Sequence, residues 1–70
     1  MVKVNIKLYT YNGYFVREWT EEFETKEQRL QYIERMKRGY WRSILEIICL
    51  NNKGEITRRC KTTREDVMNY

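Results

Sequence analysis

Residues 2–23 read VKVNIKLYTYNGYFVREWTEEF, two runs of alternating apolar and polar residues on either side of Asn12-Gly13. Alternation with period two marks a half-buried strand, and Asn-Gly is the strongest short hairpin signal because a two-residue type I′ turn needs positive φ at both central positions. Such a turn sets the register, with Tyr11 opposite Tyr14, Tyr9 opposite Val16, Lys7 opposite Glu18 and Lys3 opposite Glu22. Val2, Val4, Ile6 and Leu8 then share a core face with Phe15, Trp19 and Phe23. The other face carries the two charge pairs near the hairpin base. At its tip lie Tyr9, Tyr11, Tyr14 and Val16, which either brace the two strands or form a contact patch.

Outward from the hairpin, Thr25-Lys26-Glu27-Gln28 has the form of a capping box, so a helix is expected over residues 26–38. Leu30, Ile33 and Met36 recur at helical spacing, flanked by Tyr32 and Tyr40, and Gly39 is placed for a left-handed C-terminal cap. Ser43 to Leu50 is apolar on both faces through Ile44, Leu45, Ile47, Ile48 and Leu50, the pattern of a central strand, with only Glu46 to explain. Asn51-Asn52-Lys53-Gly54 supplies a turn, and the chain returns as a strand to Lys61. Arg58, Arg59 and Lys61 suit an edge, where charge discourages pairing with other chains.

These elements form one domain: a hairpin over 2–23, a helix over 26–38, a hairpin over 43–61 and a short tail over 62–70, in which Val67, Met68 and Tyr70 could form a helical turn. The fold class is α+β, a four-stranded antiparallel ββαββ sheet with the helix on one face. A right-handed crossover after the second strand sets the third beside the first and gives the order 2-1-3-4. A β-grasp order with the last strand in the middle is the alternative, and the charge on that strand argues against it.

Composition narrows the chemistry. The 70 residues contain no His, Ala or Pro, and the one Asp is Asp66. His-dependent triads, common His-containing zinc sites and glycine-rich phosphate loops are therefore absent, and no enzymatic activity, cofactor or metal is expected. The glutamates Glu18, Glu21, Glu22, Glu24 and Glu27 are the remaining candidates for metal-assisted chemistry, but the register already sets Lys7 and Lys3 against two of them. Cys49 and Cys60 do not face one another in the second hairpin and read as packed thiols. No apolar stretch approaches the roughly 20 residues that span a bilayer, and no signal-peptide core is evident. A cytoplasmic location is expected, with no membrane partner.

The net charge of +4 favours polyanions. Arg35, Lys37, Arg38, Tyr40, Trp41 and Arg42 interleave cations and aromatics around the end of the helix, and Arg58, Arg59, Lys61 and Arg64 extend the basic set. Cations neutralise phosphates and aromatic rings stack on bases or fill protein interfaces, although cations at a helix C-terminus also serve stability alone. Residues 17–27 hold five Glu against Arg17 and Lys26, so the surface is bipolar.

The expected function is that of a non-catalytic binding protein. Composition resembling AT-rich coding sequence, small size and exposed aromatics suggest a phage or mobile-element accessory protein. It would inhibit a host nucleic-acid-processing or defence complex by occupying a site on it, much as anti-CRISPR proteins do, and would act in the host cytoplasm. Its partner would be a host protein or nucleoprotein complex. Direct, mainly electrostatic binding of DNA or RNA is the alternative, and a homodimer or larger structural assembly is a second one.

Overall fold

The computed structural model describes residues 1–62 and contains β1 (Val2–Tyr9), β2 (Phe15–Phe23), α1 (Lys26–Gly39), β3 (Ile44–Leu50) and β4 (Ile56–Lys61). All neighbouring strands are antiparallel and the sheet order is β2-β1-β3-β4, so the β-grasp arrangement does not occur. Arg64 and the rest of the tail from Thr63 to Tyr70, including the helical turn expected there, lie outside the described residues.

β1 and β3 pair at the centre and supply nearly all of the core. Val4, Ile6, Leu8, Leu45, Ile47 and Cys49 are buried on the side that faces α1, joined by Ile33 from the helix. Trp19, Phe23, Tyr32, Met36, Tyr40 and Cys60 pack around this cluster. Cys49 opposes Arg58 while Cys60 opposes Ile47, and both thiols are free.

The first turn differs from the expected type I′. The Gly13 amide donates to the Thr10 carbonyl at 2.8 Å and the Thr10 amide donates to the Tyr14 carbonyl at 2.7 Å, which closes a three-residue loop. Gly13 has φ +91°, and among the described residues none other than glycine has positive φ. This is a type I turn followed by a left-handed glycine, the usual solution for a hairpin of that length. Three loop residues shift the register by one, so Tyr9 opposes Phe15 instead of Val16. A bulge at Val16 then shifts it back, and from Leu8 opposite Arg17 to Val2 opposite Phe23 the ladder is the expected one.

Phe15 consequently leaves the core face and is 59% exposed on the opposite side. Lys3 pairs with Glu22 at 3.5 Å as the register requires. The Lys7 ammonium, although opposite Glu18 on one flank, turns to Glu46 on the other at 3.9 Å. That contact accounts for the carboxylate in the otherwise apolar β3.

The second hairpin repeats the device. Gly54, with φ +81°, donates to the Asn51 carbonyl at 3.0 Å, and a bulge at Thr57 follows. Asn51 Oδ1 accepts from the amides of Lys53 and Glu55 at 2.9 Å each, just as Thr10 Oγ1 accepts from the Tyr14 amide at 3.0 Å. At the sheet end, Thr62 extends the ladder: its amide donates to Leu45 O, and its hydroxyl accepts from Leu45 N.

The Thr25 hydroxyl caps α1 by accepting from the Gln28 amide at 3.1 Å, and Gln28 Oε1 reaches back to the Glu24 amide at 3.1 Å. The buried stripe is Arg29, Ile33, Met36 and Tyr40, spaced four, three and four residues apart. Leu30 lies roughly one hundred degrees around the helix from Arg29 and is 51% exposed, so it is not a core residue. Gly39 stays in the helix without positive φ, and the Tyr40 amide closes the last turn on the Met36 carbonyl at 2.9 Å. Trp19 fastens helix to sheet: its indole N–H donates to the Tyr32 hydroxyl at 2.8 Å, and Tyr32 stacks tilted against Phe23 with ring centroids 5.1 Å apart.

Trp19→Ala is expected to cost about 3 kcal/mol, and Trp19→Phe, which keeps the ring but loses the donor, about 1 kcal/mol. Urea titrations followed by circular dichroism would check this order. Equal losses would mean that the hydrogen bond, and not the packing, fastens the helix.

Candidate nucleic-acid interface

The helix covers one side of the sheet. The other side is formed by Lys3, Asn5, Lys7 and Tyr9 of β1, Phe15, Glu18, Thr20 and Glu22 of β2, Ile44, Glu46, Ile48 and Leu50 of β3, and Ile56, Arg59 and Lys61 of β4. No described element lies across it. Its centre is tied down by polar contacts: besides the two ion pairs, Asn5 Nδ2 donates to Thr20 Oγ1 at 3.2 Å.

One end of this face concentrates aromatic and cationic groups. Tyr9 meets Phe15 edge to face, with ring centroids 5.8 Å apart and planes at 70°. Lys61 Nζ reaches over the Tyr9 ring, 5.6 Å from its centroid. Alongside, Glu46, Ile48, Arg59 and Lys61 line a shallow groove. Tyr11 and Tyr14 are exposed in the adjoining loop, and Val16 projects from the bulge. A flat ring beside an ammonium group is the chemistry that stacks an unpaired base while neutralising its phosphate.

The residues expected to form one basic surface are divided by the sheet. Arg59 and Lys61 belong to the open side. Arg58 points to the helix side, opposite Cys49. Arg35 and Arg38 are exposed on α1, and Lys37 is half-buried there. Tyr40 packs against the core, so its ring is not presented as a stacking group. Trp41 is 42% exposed, and the Arg42 guanidinium lies 4.5 Å over its ring.

Phe15 was missed as a surface residue because its place depends on a one-residue difference in loop length. The signal was present in Thr10: a residue able to accept a hydrogen bond from the amide four positions on favours the longer loop. Among the described residues, no three Cys, Asp or Glu side chains lie close enough to hold a metal ion, and no helix is long and apolar enough to cross a membrane. No protein-family model matches the chain, and neither a curated protein nor a solved structure matches it.

Proposed function

We propose that this chain is a non-catalytic binding protein that inhibits a host nucleic-acid-processing or defence complex by occupying a binding site on it through the unpaired nucleic acid the complex holds, in the manner of a small phage-borne inhibitor. The open sheet face is the contact surface. The observation that carries this reading is the Phe15, Tyr9 and Lys61 cluster on a side of the sheet that no described element covers. Exposed aromatics on an antiparallel sheet suit unpaired nucleotides better than a duplex, whose bases are already stacked. Direct binding of free single strands, without inhibition, is the second reading, and the same cluster favours it.

Labelled single-stranded and double-stranded DNA and RNA, titrated across a salt series, test both. Phe15→Ala is expected to weaken single-strand binding by about 5- to 100-fold, the loss of one stacked base, with little effect on duplex. R59E/K61E should lower affinity further and reduce the salt slope by about 1.4, or roughly 0.7 per cation. A larger loss from K37E/R38E/R42E than from R59E/K61E would move the contact to the end of α1 and overturn the open-face assignment. Absence of binding to free strands at low salt, followed by capture of a nucleoprotein from a host lysate, would leave inhibition as the reading.

A further inference from the structure

The two margins of the sheet carry opposite charge. β2 presents Glu18, Glu21 and Glu22, all exposed, against Arg17, whose guanidinium lies 4.4 Å over the Trp19 ring. β4 presents Arg58, Arg59 and Lys61, also exposed, and has no carboxylate. Among the described residues both are edge strands of the four-stranded sheet, and each offers a row of backbone donors and acceptors on its outer side. Pairing a margin with its own kind sets like charges opposite one another, which destabilises a ladder. Pairing β2 of one copy with β4 of another sets opposite charges together.

Strand direction and side-chain facing permit this union. β1 is antiparallel to β2 and β3, and β3 to β4, so β2 and β4 run in opposite senses. A second copy shifted sideways in the same orientation therefore brings its β2 antiparallel to the β4 of the first. Glu18, Thr20 and Glu22 share the open side with Arg59 and Lys61, while Trp19 and Glu21 share the helix side with Arg58 and Cys60. With the two sides continuous across the junction, the register that sets Glu21 opposite Arg58 also sets Glu18 opposite Lys61 and Trp19 opposite Cys60. Arg59 then lies diagonal to both Glu18 and Glu22, a distance that long side chains span.

We infer that the chain associates with itself head to tail, the acidic β2 margin of each copy adding to the basic β4 margin of the next. The contact is heterologous, and the twist of about −20 to −25° per strand turns each copy relative to the last, so the series stays open and grows. This association joins the rims of the sheet, and it shares Arg59 and Lys61 with the open face, so a nucleic acid held there competes with it.

Sedimentation velocity and light scattering on the whole chain test it. At low salt the mean mass should rise with concentration past that of a dimer without a plateau. At roughly 1 M salt, where the screening length is about 3 Å, it should fall to the monomer. E18K/E21K and R58E/R59E should each be monomeric alone, yet an equimolar mixture should assemble, because every margin then finds one of opposite sign. A mixture that stays monomeric while both variants remain folded by circular dichroism would overturn the inference. So would a wild-type chain that is monomeric at all concentrations in low salt, or one that stops at a dimer. If a reversal unfolds the chain, the neutral pair E18Q/E21Q takes its place, with weakened assembly expected and unchanged assembly counting against the inference.

Discussion

Ile47→Ala is expected to cost about 2 to 5 kcal/mol. Ile47 is 1% exposed, stands opposite Ile6 on one flank and Cys60 on the other, and belongs to the apolar cluster beneath the helix. A 70-residue domain has a total stability of about 4 to 10 kcal/mol at the usual per-residue value. One buried isoleucine is therefore a sizeable share of the whole. At roughly 4 to 8 °C per kcal/mol for a domain of this size, the melting temperature should fall by about 10 °C or more. The control is the next residue: Ile48 faces the open side and is half-buried, and Ile48→Ala should cost about 1 kcal/mol, in proportion to the smaller apolar area it removes from water. Thermal and urea unfolding followed by circular dichroism would compare the two. Equal costs would mean that the open side is covered as thoroughly as the helix side, and the contact surface proposed for it would be lost.

Much of this architecture was legible because its signals are redundant. The period-two alternation of Val2, Val4, Ile6 and Leu8, the two-sided apolar run of β3 and the charge on β4 each point to the same order, and an error in one is corrected by the others. The hairpin shows how. A two-residue loop and a three-residue loop followed by a bulge place Lys3 opposite Glu22 alike, since the loop and the bulge each shift the register by one. Only the residues between loop and bulge differ, and Phe15 is among them. Site residues have no such redundancy. Whether Arg58 and Arg59 share a surface depends on side-chain alternation within a strand that carries little apolar patterning, and their adjacency in sequence puts them on opposite sides of the sheet. Tyr40 and Trp41 are adjacent as well, but one completes the buried stripe of α1 and the other does not.

Arg29 is the least legible residue of all, because helical periodicity placed apolar Leu30 inside and gave no reason to bury a cation. Its guanidinium answers a need that arises only once the sheet is assembled. Arg29 is 9% exposed, and its Nη1 donates to the Leu50 carbonyl at 2.8 Å and to the Lys3 carbonyl at 3.3 Å. Lys3 and Leu50 are the last partners of the β1 and β3 ladder, so the first turn of the helix is stitched to the end of the sheet. The apolar part of the side chain meanwhile occupies the helix face beside Ile33. Arg29→Ala removes both the packing and the donor and is expected to cost about 2 to 4 kcal/mol, since hydrogen bonds to a charged group contribute roughly 1.5 to 3 kcal/mol. Arg29→Met keeps the stem and should recover about half of the loss. Urea titrations of the three proteins would decide the matter. Should Arg29→Met match the wild type, the guanidinium bonds would contribute nothing net, and the helix would be held to the sheet by apolar packing alone.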